Sequence, residues 1–135
     1  MSNDHKKDFL WGYKRAKYEL KRAEEDLEEY NTNIIYPASL FDNMPKGEGV
    51  KADLSKYMQK LDELQKKCLK RRYLAIKTAD EIKNCIMRLE NEAEKEVLIL
   101  RYIKLKQWEE ICVKIGYSWK QTHRIHSNAL QKLKY

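Results

Sequence analysis

The apolar positions of this chain fall into helical stripes broken by one aperiodic interval. Phe9, Tyr13, Ala16, Leu20, Ala23, Leu27, Tyr30 and Ile34 alternate by four and three residues, which keeps one apolar edge turned toward a partner helix. Leu54, Tyr57, Leu61, Leu64 and Cys68 run likewise, and the stripe resumes at Ala75, Ala79, Ile82, Ile86 and Leu89. The two steps of four from Arg71 to Ala75 to Ala79 form a stutter that locally unwinds a supercoil. Arg71 on the seam implies that the partner helix has ended there or offers it an acid. At 1.5 Å per residue the second helix, from about Ala52 to about Leu89, spans roughly 57 Å and the first only about 40 Å. The longer helix must therefore pack on something besides the first: a second copy of itself, or the C-terminal part of the chain.

Between the two stripes, residues 31–51 carry Pro37, Pro45, Gly47 and Gly49 and show no period, so they form a linker. Tyr36, Leu40, Phe41 and Met44 within it are apolar enough to pack locally. A second boundary falls at Asn91, a good N-cap residue with Glu94 three positions on, which starts a new helix.

The last forty residues hold the most specific pattern. Trp108–Ile115 is a short amphipathic helix with Ile111 and Ile115 one turn apart. Gly116 follows where the chain needs a left-handed backbone, and Ser118 with Gln121 forms a capping box for the next helix. Thr122, Ile125, Ala129, Leu130 and Leu133 make that helix's inner stripe. Trp119, Lys120, Gln121, His123, Arg124, Ser127 and Asn128 are left on its outer face, joined by Lys114 and Lys106 upstream. A polar helix face is ordinarily just solvated. The glycine turn, the cap and the bracing Trp-Glu-Glu-Ile helix together make this one a helix-turn-helix, whose second helix carries groups suited to base edges and phosphates.

Residues 94–133 resemble region four of bacterial primary sigma factors. The likeness lies in the Glu96-Val97-Leu98-Ile99-Leu100-Arg101-Tyr102 helix, Trp108-Glu109-Glu110-Ile111, the Gly116-Tyr117-Ser118 turn and the terminal Asn128-Ala129-Leu130-Gln131-Lys132-Leu133. Ile115-Gly116-Tyr117-Ser118-Trp119-Lys120-Gln121-Thr122-His123-Arg124-Ile125-His126 is similar to a run in small phage-encoded late-transcription regulators of the ArpU and RinA type. Met44-Pro45-Lys46-Gly47 matches the linker between their two long helices. The resemblance spans most of the chain. It implies a promoter-binding regulator of phage or prophage origin acting in a bacterial host cytoplasm, and leaves contact with host RNA polymerase open. Cys112, Thr122 and Gln107 depart from the pattern; Gln107 is a poor cap, so the start of its helix is expected to fray.

Charge agrees with a DNA partner. The net charge is +7, and residues 93–135 hold nine basic against four acidic side chains, so +5 of it sits on the C-terminal third. In the first helix Lys14, Arg15, Lys17, Lys21 and Arg22 precede Glu24, Glu25, Asp26, Glu28 and Glu29. That acidic block is either a solvated surface or a register device facing Lys66, Lys67, Lys70, Arg71 and Arg72. Cys68, Cys85 and Cys112 lie on apolar stripes without a Cys-x-x-Cys pair, which suits reduced thiols rather than disulfides or zinc. His123 and His126 are three apart, a spacing metal sites use, but no Cys or acidic partner stands near them and no metal or other cofactor is expected. Phe9-Leu10-Trp11 is too short for a signal peptide or membrane span. No phosphate loop, carboxylate pair or nucleophile–base pairing suggests an enzyme.

The expectation is an all-α chain: a helical hairpin or coiled coil over 1–90, then a small three-helix head over 91–135 containing the helix-turn-helix. Ile111, Ile115, Leu98, Tyr102 and Ile125 should share the head's core. The partners expected are double-stranded DNA and a second copy, in a homodimer through residues 1–90 that covers Leu54, Leu61, Leu64, Ile82, Ile86 and Leu89; the competing arrangement folds the head back over that seam. A different function class, a coiled-coil adaptor whose head binds protein rather than DNA, is set against by the outward Lys114, Lys120 and Arg124.

Overall fold

The computed structural model describes residues 2–32 and 48–135, and they are all-α. Six helices follow in order: α1 (Ser2–Leu10), α2 (Gly12–Thr32), α3 (Glu48–Met87), α4 (Glu92–Leu98), α5 (Trp108–Ile115) and α6 (Trp119–Lys132). A π-helical turn, Ile99–Ile103, extends α4. Ile34, the Met44-Pro45-Lys46-Gly47 match and the apolar linker residues lie outside the described part. No helix among the described residues is long and apolar enough to cross a membrane.

Local chemistry sets the boundaries. The end of α3 tightens through Arg88 N–H to Cys85 O at 3.3 Å and Leu89 N–H to Ile86 O at 3.0 Å, one residue shorter than the helical bond. Asn91 is extended, and its side-chain oxygen accepts from Glu94 N–H at 3.1 Å, which starts α4 as the sequence suggests. Glu94 does not return a bond to the cap. Its buried carboxylate instead pairs with Lys132 of α6 at 2.9 Å, and Oε2 has no partner. The π turn closes with Lys104 N–H to Ile99 O at 2.9 Å, and Leu105 then takes a φ of 56°, a left-handed conformation costing of order 1–3 kcal/mol in a leucine. Nothing in the hydrophobic periodicity announces that turn.

The compact units do not divide at residue 90. One comprises residues 1–17 with 74–135, the other residues 18–73. In the first, Leu10, Ile82, Cys85, Ile86 and Leu89 share a core with Leu98, Tyr102, Ala129, Leu130 and Leu133. Ile82, Ile86 and Leu89 therefore need no second copy to leave water: this part of the seam is covered within one chain. A second cluster joins Val97, Leu100, Ile111 and Ile125, with Ala93, Trp108 and Ile115 packed against it. The single small core expected for the C-terminal residues is thus two cores, with Leu98 and Tyr102 turned toward α1 and α3 rather than toward Ile111. The seam of the first helix also shifts at a turn at Trp11, where Leu10 is the residue fully buried and Phe9 only half so. Lys6 reaches from α1 to donate to Leu130 O at 2.6 Å and Gln131 O at 3.1 Å, a cation on the unpaired carbonyls at the end of α6.

In the second unit, residues 18–32 of α2 run antiparallel to residues 48–73 of α3. Tyr30 stacks on Tyr57 at 5.3 Å, while Glu24 and Asp26 bear electrostatically on Cys68. Ala23 and Cys68 are buried; Leu20, Leu27, Leu61 and Leu64 are only half-buried. Glu24, Glu25, Asp26, Glu28 and Glu29 are all exposed, and among the described residues no ion pair joins them to the basic block of α3. The acidic block is a solvated surface. Burial raises the Cys68 thiol's pKa first, with Glu24 adding to it; Cys68, Cys85 and Cys112 are all free.

Candidate nucleic-acid interface

The turn between α5 and α6 has the expected geometry. Gly116 caps α5 at φ 75°, ψ 26°, its N–H bonded to Cys112 O at 2.9 Å, and no atom stands within 4 Å of where a Cβ would sit. Only backbone strain, not crowding, reserves the position for glycine. Ser118 is extended, and its hydroxyl accepts from Gln121 N–H at 3.1 Å. Gln107 caps α5 without a side-chain bond, as its residue type suggests, yet the helix begins there through Ile111 N–H to Gln107 O at 3.0 Å.

Thr122, Ile125, Ala129, Leu130 and Leu133 are buried as the inner stripe. Trp119, Lys120, Gln121, Arg124, Ser127 and Asn128 are exposed along α6, and Lys114 is exposed on α5. Lys106 is exposed too, 3.9 Å from Glu110, an ion pair weak enough to yield to a phosphate. The exposed residues of α6 thus combine the hydrogen-bonding groups of Gln121, Ser127 and Asn128 with the cations Lys120 and Arg124.

His123 does not belong to that face. Its ring lies between Trp108, 4.2 Å away, and Trp119, 4.6 Å away, and its Nε2 is buried without a partner. Trp108 also carries a cation. The Arg101 guanidinium sits 4.8 Å from that ring and 5.2 Å from Trp11, and it donates to Lys106 O at 3.1 Å. Trp11, Arg101, Trp108, His123 and Trp119 form a ladder of alternating rings and cationic or polar planes that ends at the half-exposed first residue of α6. His123 therefore supports Trp119 instead of reaching outward, because a ring flanked by two indoles gains more from stacking than from solvent.

The residue that sequence reasoning missed is His126, buried under α6. Its Nε2 lies 2.8 Å from the Tyr102 hydroxyl, and Trp108 meets its ring edge-on at 4.8 Å. Burial, with Lys7, His123 and Arg101 adding to it, pushes its pKa down to about 4; burial pushes Tyr102 up to about 12. At neutral pH a neutral imidazole faces a protonated phenol, and that polar pair joins α6 to the π turn. Spacing could have revealed it: Thr122, His126, Ala129 and Leu133 step by four, three and four on the inner stripe. Comparison with protein-family models, curated proteins and solved structures found no match to this chain.

Proposed function

We propose that the chain is a sequence-specific DNA-binding transcription regulator in which α5 braces and α6 enters the major groove. The observation that carries this reading is the glycine-turned α5–α6 pair with Lys120, Gln121, Arg124, Ser127 and Asn128 open on one face of α6. The charge of the C-terminal third and its resemblance to sigma region four support it, as does the resemblance to phage regulators, which makes host RNA polymerase a further partner of this reading. Lys106 and Lys114 would hold phosphates; Arg124 and Gln121 carry the paired hydrogen-bonding groups that would read guanine and adenine edges. Trp119, fixed by its ladder, would set the depth of the helix N-terminus in the groove. The work of such a regulator belongs in the cytoplasm, where the DNA is.

Selection of bound sequences from random duplex DNA tests the proposal: a shared motif should emerge, with binding that falls steeply with salt. Retention of all sequences alike, or of none, would contradict it. The adaptor reading draws on Val113, 83% exposed, and Tyr117 beside the turn. Apolar groups there suit a protein surface, and a chain that ignored DNA while binding protein through Val113 would favour it.

A further inference from the structure

We infer that the cleft where the end of α3 meets the end of α6 binds a small organic anion, a molecule whose phosphate or carboxylate group is held by Arg88 and Lys134. The cleft lies wholly within the unit of residues 1–17 and 74–135 and has a volume of about 570 Å³. That is the size of a small-molecule site and far more than a single ion needs. Cys85 and Leu89 are its buried wall, while Arg88, Lys132 and Lys134 line it with three cations. Asn91 adds an amide, and Glu90 is the one acid among the lining residues.

The charges of the cleft identify its occupant. Lys132 is already drawn to the Glu94 carboxylate at 2.9 Å. Among the described residues the side chains of Arg88 and Lys134 have neither an ion pair nor a hydrogen bond, although Glu90 lines the same cleft. The two free cations come from segments far apart in sequence and are brought together by the fold. The Cys85 thiol donates to Lys134 O at 2.7 Å, which holds the segment carrying Lys134 against the end of α3, which carries Arg88. Burial raises the Cys85 thiol's pKa and Arg88 opposes that rise, as a positive charge beside this wall must. A guanidinium offers a planar fork that matches a phosphate or carboxylate, and the lysine adds a point charge. The apolar part of the wall suits the organic body of such a ligand rather than a bare ion.

This inference does not rest on DNA binding, and calorimetric titration of the full chain at low salt tests it, with adenosine monophosphate and citrate as the phosphate and carboxylate probes. At least one should bind saturably, one per chain, with a Kd of about 1 mM or tighter. The melting temperature should rise with its concentration, and uncharged adenosine should give neither effect. The tighter of the two probes identifies the preferred head group. Arg88→Ala with Lys134→Ala, both at exposed positions, should weaken binding at least tenfold and leave the melting temperature of the ligand-free chain unchanged. Lys120→Ala with Arg124→Ala should leave the affinity as it is. Failure of both anions to saturate the chain at about 10 mM would overturn the inference. So would binding that survives Arg88→Ala with Lys134→Ala, or that is lost with Lys120 and Arg124 instead.

Discussion

Residues 18–73 and the unit formed by 1–17 with 74–135 are built from similar helical stripes and end with different interiors. In the first, the described core is Ala23 and Cys68, flanked by half-buried leucines and ringed by charge. In the second, Leu10, Ile86, Leu98, Tyr102, Ile111, Leu130 and Leu133 are sealed almost completely, a Tyr102–His126 pair is buried with them, and the buried Glu94 carboxylate is met by Lys132 from the surface. The difference lies in how many elements converge. Two helices can cover only one edge of each other, whereas α1, α3, α4, α5 and α6 enclose a volume. Stability should therefore concentrate where the proposed DNA-reading helix is anchored, and the long helix belongs to that anchor as much as to the hairpin.

The largest expected effect follows from this convergence. A fragment of residues 91–135 loses Leu10, Ile82, Ile86 and Leu89 from its core, and should show little cooperative unfolding by circular dichroism. A sharp melt of that fragment would show that α3 is dispensable. Next in size, Ile86→Ala should cost about 2–5 kcal/mol in urea denaturation. Leu61→Ala, half-buried in the other unit, should cost about 1 kcal/mol, in keeping with partial burial. Equal losses would erase the contrast between the two regions.

Acid should act on the sealed unit through His126. His126 has its pKa depressed from 6.5 to about 4 in the fold, so the unfolded chain binds the extra proton between those values. Stability is then full above about pH 6.5 and falls as pH drops toward 4, by up to about 3 kcal/mol. Melting temperature against pH measures it, and His126→Leu should flatten the curve over that window. Persistence of the full slope in that variant would assign the sensitivity elsewhere. A local effect is expected at the turn: Gly116→Val should cost about 1–3 kcal/mol through its backbone angle, since nothing stands within 4 Å of an added Cβ. An unchanged melting temperature would mean that the turn relaxes.

Where one residue type has one physical use, the sequence was legible. Gly116, Ser118 and Asn91 took the cap and turn roles their side chains dictate, and the stripe from Thr122 to Leu133 was buried as spaced. Reading by residue type failed where tertiary context decides. His123 and His126 are polar by composition, yet one is stacked between indoles and the other is sealed under a phenol. The π turn and Leu105 were silent because no periodicity encodes an inserted residue. The boundary at residue 90 rested on a real cap, but Asn91 starts a helix without starting a new core.

The central claim, that α6 reads DNA, meets its most direct test in the Lys120→Ala/Arg124→Ala variant. Both side chains are exposed and outside either core, so the fold should survive, as a thermal melt can verify. Titration against a selected duplex at two salt concentrations should show specific affinity reduced about tenfold or more, because a base-reading contact contributes about 1–3 kcal/mol. A folded variant that bound the same duplex with undiminished affinity and an unchanged salt slope would contradict the account.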